Sequence, residues 1–417
     1  MSHSPRIRTV MGCTLLVAAL GASAAACGSS SHPLAEKPYD AASQIDFSGP
    51  SGSKKADPDK PLEVRSQGDG ARITDVTATD GIGRYVAGEL SADGSRWHST
   101  APLAADAHYT VSVSTEDGDG DPGRKVITFD TASPGKKKTL SVKFGPDAGK
   151  YGVGQPITAE LSAPVKDKAA RAVVERALKV DSQPAVAGSW TWVDDKKLHY
   201  RPEEYWPANS TIDAHSNLAG IKVGDLWGGA SKPLHLTTGD RIEAITDASA
   251  HTMTVYRNGK EINEIPVTTG KPGFETRNGV KVVLGKEYFV RMRSASIGIA
   301  DGSSDSYDLP VYYATRVTWS GEYVHAAPWS TGSQGAANVS HGCTGMSTSN
   351  AEWFFNTVRE GDIVKVVNSG GAEMDPFGNG FGDWNLSWKK WESGSAVQAA
   401  AQNGHNAVDQ ARLSPEV

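Results

Sequence analysis

Short stretches in which apolar and polar residues alternate recur along most of the chain after residue 60. Clear examples lie at residues 72–76, 109–113, 125–129 and 157–161. Alternation with a period of two predicts half-buried strands, and the Gly, Asp and Pro residues between these stretches predict turns. The pattern predicts a mostly β fold, with two tandem β-sandwich modules at residues 60–136 and 137–239 and a further β-rich unit at 240–369.

Two stretches depart from this alternation and predict helices. One covers residues 169–178, within the second module. The other begins at Ser349-Asn350-Ala351-Glu352, where Ser349 and Glu352 can satisfy each other's backbone amides as a capping box. Gly361 ends that helix, so the third unit is expected to combine strands with one short helix.

A C-terminal extension and tail, residues 370–417, follow the third unit. Trp384, Trp388 and Trp391 recur there at helical spacing. Because burial of indole rings is strongly stabilising, we expect them to dock the extension onto the third unit.

The N-terminus has the pattern of a bacterial secretion signal. Arg6 and Arg8 precede an uncharged run that ends in Ala24-Ala25-Ala26-Cys27, which predicts a signal peptide at residues 1–26 and lipidation of Cys27. Ala24 stands where a larger aliphatic residue is usual, and cleavage without lipidation, leaving a secreted protein, is the alternative. Residues 27–59 lack apolar periodicity and predict a flexible stalk.

Composition limits the classes of partner. The 417 residues include 42 Lys+Arg and 48 Asp+Glu, a net charge of −6, so nucleic acid is not an expected partner. Of the three cysteines, Cys13 would leave with the signal peptide and Cys27 would be acylated. Cys343 is then unpaired in an oxidising compartment, which favours a reactive thiol over the alternative of a buried, inert one. Without a second free Cys or a His pair at helical spacing, no metal ion or other cofactor is expected.

The candidate chemistry lies between residues 323 and 347. Tyr323-Val324-His325 precedes Ser340-His341-Gly342-Cys343, and His325, eighteen residues before Cys343, could reach it from a neighbouring strand. A thiol needs a nearby base to become a nucleophile at neutral pH, and both His325 and His341 are candidates. Gly342 lets the backbone approach a substrate, and the amides near Cys343 could bind an oxyanion.

These motifs, with the later Asn350-Ala351-Glu352-Trp353-Phe354, resemble the catalytic domain of L,D-transpeptidases of the YkuD type. The resemblance covers about residues 240–391, and the two preceding modules resemble the immunoglobulin-like domains that such enzymes carry. It implies a cysteine-dependent acyltransferase that forms 3→3 cross-links in peptidoglycan. Cys343 would attack the third residue of a tetrapeptide stem, release D-Ala and form a thioester, which the amine of a second stem would resolve.

The resemblance also implies roles for individual residues. His325 matches the family's base, oriented by the carbonyl of Ala326, where relatives often have Ser. His341 matches a position that supports the thiolate or contacts substrate. Gly345 stands where relatives commonly place Asn or Arg, so substrate preference could differ. Expected substrate contacts come from residues on both sides of the core: Met292, Tyr307, Trp329, Ser340, Thr344 and Gly345.

Two alternatives to cross-linking remain open. Water could resolve the thioester, which would make the protein an L,D-carboxypeptidase. The domain could also hold stem peptides without turnover, as a cell-wall scaffold. In each case we expect a monomer outside the cytoplasm, tethered to the outer face of the cell membrane by Cys27, whose partners are donor and acceptor stem peptides.

Overall fold

A computed structural model describes residues 38–49, 54–134, 139–300 and 302–402. These residues form a mostly β architecture, as predicted, with two sandwiches followed by a third β-rich unit. The predicted signal peptide, Cys27 and the tail beyond residue 402 lie outside the described residues. The helices of the described ranges are all too short or too polar to cross a membrane.

The first sandwich consists of two four-stranded sheets, ordered β1-β8-β7-β4 and β2-β3-β6-β5. Its strands are β1 Tyr39–Asp40, β2 Ile45–Phe47, β3 Glu63–Ser66, β4 Arg72–Asp80, β5 Gly88–Leu90, β6 Arg96–Ser99, β7 His108–Glu116 and β8 Pro122–Asp130. Strands β1 and β2 lie in the range predicted as stalk. Ile45 is 8% exposed in the core of the sandwich, so these residues belong to the folded module despite their weak periodicity.

The second sandwich also has two four-stranded sheets, ordered β10-β12-β15-β14 and β11-β19-β16-β13, and a small third sheet, β17-β18-β9. Its elements are β9 Thr139–Leu140, β10 Val142–Gly145, β11 Gly149–Tyr151, β12 Ile157–Leu161, α1 Lys168–Ala177, β13 Leu178–Gln183, β14 Gly188–Trp192, β15 Lys197–Pro202, β16 Thr211–Ser216, β17 Lys222–Val223, β18 Leu226–Gly228 and β19 Leu234–Thr238. Helix α1 lies within one residue of the predicted helix at both ends. Its buried face, which includes Val174, packs into the same core as Trp190 and Trp206.

The third unit has two sheets, ordered β22-β21-β20-β28-β23 and β24-β25-β26-β27. Its elements are β20 Ile242–Asp247, β21 Thr252–Arg257, β22 Lys260–Pro266, β23 Gly279–Val282, β24 Gly285–Arg293, β25 Asp308–Arg316, β26 Tyr323–Ala326, β27 Thr344–Met346, α2 Thr348–Thr357 and β28 Ile363–Val367. Side chains from both sheets and from α2 share one apolar core, which includes Val324, Met346 and Phe354. This core packs against β26 and β27, which pair with each other.

Helix α2 begins two residues earlier than the predicted capping box. Ser347 is the N-cap, and its Oγ accepts a hydrogen bond from the Asn350 amide at 3.2 Å. The predicted pair, Ser349 and Glu352, is exposed within the helix. The helix is therefore present as predicted, but its N-cap is Ser347 instead of Ser349, and it ends at Thr357, before the predicted stop at Gly361.

The C-terminal extension contacts the third unit, as predicted, through Trp384, which packs against Val280 and Ile363, and it also docks onto the second sandwich. It contains α3 Trp388–Glu392 and α4 Ala396–Gln402. Trp391 is fully buried and donates from Nε1 to the Ser189 carbonyl of β14 at 2.9 Å. The guanidinium of Arg201, on β15, lies 4.8, 5.5 and 4.5 Å from the rings of Trp384, Trp388 and Trp391. These cation–π contacts supply partners on the sandwich that helical spacing alone could not reveal.

Candidate active site

Parallel pairing of β26 and β27 brings the two chemical motifs together. His325 pairs with Gly345, and Val324 pairs with Thr344. Cys343 directly precedes β27 and so lies near the start of β26, although His325 is eighteen positions earlier in the sequence. The register of one strand pair thus creates the proximity that the sequence suggested.

His325 and Cys343 line the same cavity, of about 260 Å³. Most of the predicted site residues also line it, namely Met292, Tyr307, Trp329, Ser340, His341 and Gly345. Ala326, Gly342 and Thr344 do not line it. The Ala326 side chain belongs to the core, and Thr344 is 3% exposed, so these two positions shape the site from behind.

The His325 ring is held in one tautomer. It is 6% exposed, and its Nδ1–H donates to the Ala326 carbonyl at 2.8 Å. Nε2 is therefore the ring atom free to accept a proton. Burial lowers the pKa of His325 below its ordinary value, which keeps the imidazole neutral at pH 7.

The Cys343 thiol is half-buried and is the free cysteine among the described residues. Its Sγ lies 3.5 Å from the Gly321 carbonyl, to which the thiol donates. Burial raises the pKa of Cys343 to about 11, because a thiolate loses its hydration there. At neutral pH the resting thiol is protonated, so its nucleophilicity depends on proton transfer to a base.

His341 is engaged with the walls of the cavity. Its ring packs against Phe274 and Tyr307, with centroids 4.7 and 5.1 Å away. Its Nε2 lies 3.5 Å from Asp305 Oδ1, and that same oxygen lies 2.5 Å from Lys271 Nζ. Burial lowers the pKa of His341. These contacts place His341 at the rim, where it can contact a substrate.

The chain between His341 and Cys343 is a tight bend. Gly342 has φ +116°, a conformation that favours glycine. Ser340 Oγ donates to the Cys343 carbonyl at 2.6 Å and accepts from the Gly342 amide at 3.1 Å. Ser340 therefore stabilises the bend that presents Cys343.

Gly345 lies at a position that has little space for a side chain. A Cβ there would lie 2.9 Å from the Ala327 Cβ and 3.1 Å from Thr268 Cγ2. Its amide donates to the Thr268 carbonyl at 2.8 Å, and its own carbonyl accepts from the Thr268 amide at 2.9 Å. The backbone at this position is fixed on both sides.

Sequence reasoning missed part of the cavity wall. The missed residues that line the cavity are Thr268, Leu309, Val311, Ala327, Ser330 and Val339. Leu309 and Val311 alternate along β25, and this period-two pattern could have marked one face of a strand beside the site. Thr268 carries no local signal, because its position depends on pairing with Gly345 across the fold.

Two family models match the chain in order. Residues 53–222 match a bacterial Ig domain, and residues 241–366 match the L,D-transpeptidase catalytic domain. The first match spans the junction between the two sandwiches.

Several L,D-transpeptidases are similar to this chain over most of its length or about half of it. L,D-transpeptidase 2 of Mycobacterium tuberculosis is 34% identical over 408 residues, which cover 94% of this chain and 96% of that protein. L,D-transpeptidase 1 of the same species is 40% identical over 216 residues, covering 52% of this chain and 80% of that protein. The solved structure of an L,D-transpeptidase from Mycobacterium smegmatis is 38% identical and covers 54% of this chain and 98% of its own, with a TM-score of 0.45. By its match to the catalytic-domain model and its near full-length similarity to a named relative, the chain belongs to the L,D-transpeptidase family.

Proposed function

We propose that the protein forms 3→3 cross-links in peptidoglycan through an acyl-enzyme on Cys343. The observation that carries the proposal is one cavity in which a neutral imidazole with a free Nε2 lies together with a single thiol. A base of this kind is what a thiol with a raised pKa requires before it can attack a carbonyl.

In the first half-reaction, His325 Nε2 accepts the Cys343 proton as the sulfur attacks the carbonyl of the third residue in a tetrapeptide stem. The bond to the terminal D-Ala breaks, and the leaving amine takes the proton from the imidazolium. A thioester remains on Cys343. The Ala326 carbonyl stabilises the imidazolium through Nδ1 while the proton is held.

In the second half-reaction, the side-chain amine of a diaminopimelate on another stem attacks the thioester. His325 accepts a proton from the amine and returns it to the departing sulfur, which restores the thiol. If water attacks instead, the product is a tripeptide stem, and the enzyme acts as an L,D-carboxypeptidase.

The direct test is incubation of the purified protein with tetrapeptide-stem fragments, followed by mass spectrometry of the products. We expect cross-linked dimers whose mass equals two stems minus one D-Ala. Tripeptide without dimer would assign the carboxypeptidase reaction, and binding to sacculi without any product would assign the scaffold role. Cys343→Ala is the control and should give neither product.

Acylation of Cys343 by a carbapenem tests the role of the nucleophile and the role of its base separately. We expect an intact-mass adduct on the folded protein that is absent in Cys343→Ala. His325→Ala should slow adduct formation by about 10²- to 10⁴-fold, the usual contribution of a general base. An unchanged rate would transfer the role of base to His341.

We further propose that Cys27 is lipidated and holds the enzyme at the outer face of the cell membrane. The support is the run of small residues before Cys27, after an uncharged segment with arginines in front. In cells that express Cys27→Ala, fractionation should find the protein in the soluble fraction instead of the membrane fraction. Retention at the membrane would contradict lipid anchoring at this residue.

A further inference from the structure

A cluster of three charged side chains lies inside the catalytic unit, behind the cavity. Lys281, on β23, is 1% exposed, and its Nζ lies 2.6 Å from Glu322 Oε2. The other carboxylate oxygen, Oε1, lies 2.9 Å from Arg277 Nη1 and accepts from the Arg277 amide at 3.2 Å. Lysine is rarely buried to this degree, since loss of hydration is costly even for a paired charge. Counted by formal charge, two cations and one carboxylate leave the cluster with one net positive charge, although burial lowers the pKa of Lys281.

One side of the cluster is joined to the nucleophile through the turn before β26. Glu322 directly follows Gly321, whose carbonyl accepts from the Cys343 thiol at 3.5 Å. The Glu322 amide donates to Thr318 Oγ1 at 2.8 Å, and its carbonyl accepts from the Val317 amide at 3.0 Å. The anchored Glu322 side chain thus fixes the carbonyl that orients the thiol.

The other side of the cluster is joined to the nucleophile through the loop before β23. Arg277 directly follows Thr276, and Thr276 Oγ1 donates to the Gly342 carbonyl at 2.9 Å. Gly342 is the residue before Cys343. The two segments that carry Arg277 and Glu322 therefore both hold the backbone or the thiol of the nucleophile.

The charges of the cluster also act on the thiol. After burial, which raises the pKa of Cys343, and a backbone hydrogen bond at Tyr323, which lowers it, Glu322 raises and Lys281 lowers this pKa. The other ionisable groups around the thiol are Tyr307 and Tyr323, whose own pKa values are raised first by burial and also by Cys343, and the two imidazoles His325 and His341. These four groups are uncharged at pH 7, because burial raises the pKa of each tyrosine and lowers that of each histidine.

We propose that Arg277, Glu322 and Lys281 form a positioning network that holds Gly321 against the Cys343 thiol and, through its net positive charge, stabilises the thiolate formed when His325 takes the proton. The inference rests on the proposed role of Cys343 as nucleophile. The three side chains act through Gly321, Gly342 and the local field, and none of them lines the cavity. A buried cation near a developing anion is effective because the low-polarity surroundings screen it weakly.

The test measures alkylation of Cys343 by iodoacetamide as a function of pH, in the full chain, with the modified peptide quantified by mass spectrometry. Lys281→Met and Arg277→Met each reduce the net charge of the cluster to zero. We expect each to slow alkylation at pH 8 about tenfold, because loss of a nearby positive charge raises the apparent pKa of the thiol. The double variant Lys281→Met/Glu322→Gln keeps Arg277 as its single cation and should alkylate within about threefold of wild type.

Lys286→Met is the matched control. Lys286 lies on the next strand, β24, and its Nζ donates to the Phe355 and Val358 carbonyls, both at 2.7 Å. Its loss removes a lysine charge without touching the cluster, so the alkylation profile should not move. Melting temperatures identify variants that are folded during the assay. If Lys281→Met is unfolded, Arg277→Met and the double variant decide the question, because Arg277 is 35% exposed and its loss disturbs packing less.

Unshifted profiles in the folded charge-reducing variants would overturn the network, and so would an equal shift in Lys286→Met or in the double variant. Alkylation by iodoacetamide needs no peptidoglycan, so the proposed function and the proposed network can each be refuted without the other. Expected shifts without any cross-linked product would refute the proposed function alone. Cross-linking with unshifted profiles would refute the network alone.

Discussion

Gly345 shows how one residue can restrict a site by lacking a side chain. The Cβ of an alanine there would meet the Ala327 Cβ at 2.9 Å, and both hydrogen bonds to Thr268 prevent the backbone from moving away. Gly345→Ala should therefore lower the free energy of unfolding by about 1 to 3 kcal/mol, the usual range for overpacking. Because Gly345 pairs with His325, carbapenem acylation should also slow.

Gly285→Ala is the control for the effect of a methyl group itself. A Cβ at Gly285 has no neighbour within 4 Å, so urea denaturation and acylation should be close to wild type. Equal behaviour of the two variants would mean that the site relaxes around residue 345, and the glycine would then not be needed for packing.

Individual site residues were predictable where the chemistry is local in sequence. Cys343 and His341 stand out as residue types, and His325 stands out through the resemblance of its motif. Lys281 and Glu322 carried no such signal, because each is a common surface residue type. Their burial follows from the pairing of strands distant in sequence, which no local pattern encodes.

At the scale of the element, the alternation of apolar and polar residues located the strands well, whereas the sequence located the cap of helix α2 poorly. The predicted strand at residues 157–161 coincides with β12, and the one at 109–113 lies within β7. Each strand buries one face, and the alternation of apolar and polar residues in its sequence reflects that burial directly. The cap of α2 is ambiguous because Ser347, Thr348 and Ser349 all have side chains that can accept from a backbone amide. Only the approach of the chain from β27 selects Ser347.

The two possible caps make different predictions for stability. Ser347→Ala should lower the free energy of unfolding by about 1 kcal/mol, because the Asn350 amide loses its acceptor. Ser349→Ala should change it by less than about 0.5 kcal/mol, since this exposed position lies inside the helix. Denaturation of the two variants side by side checks this, and a larger cost at Ser349 would restore the capping box predicted from the sequence.

At the scale of the whole molecule, the C-terminal extension ties the catalytic unit back to the second sandwich. Trp391 is fully buried against β14 and the Arg201 guanidinium, and its carbonyl accepts from Thr191 Oγ1. Trp391→Ala should lower the free energy of unfolding by about 3 to 5 kcal/mol, the range for loss of a buried aromatic side chain. Trp319→Ala removes an indole that is 55% exposed and should cost less than about 0.5 kcal/mol. Similar melting temperatures for the two variants would show that the extension is not a stabilising clamp.

The joint between the second sandwich and the catalytic unit contains a buried carboxyl group. Asp362 is fully buried, and a Cβ on Gly152 of the sandwich would lie 2.2 Å from its Oδ1. The Gly152 and Gly154 amides donate across the joint to the Glu360 and Gly361 carbonyls at 2.7 and 2.9 Å. Burial raises the pKa of Asp362 to about 7, although its Oδ2 accepts from the Arg359 amide. The ionised form is therefore tolerated poorly at this joint.

This carboxyl group makes the stability of the joint depend on pH. The folded state holds the Asp362 proton up to about pH 7, whereas the unfolded chain loses it near pH 4, so the stability it contributes is complete below pH 4 and lost as the pH rises to 7. Asp362→Asn cannot ionise, and its melting temperature relative to wild type should rise between pH 5 and pH 8. Asp308→Asn is the control, because hydrogen bonding to Arg291 lowers the pKa of Asp308 and leaves it ionised throughout this range. A difference between Asp362→Asn and wild type that stays constant from pH 5 to pH 8 would mean that Asp362 is already ionised in the folded joint, with its charge satisfied by Arg359 and Lys286.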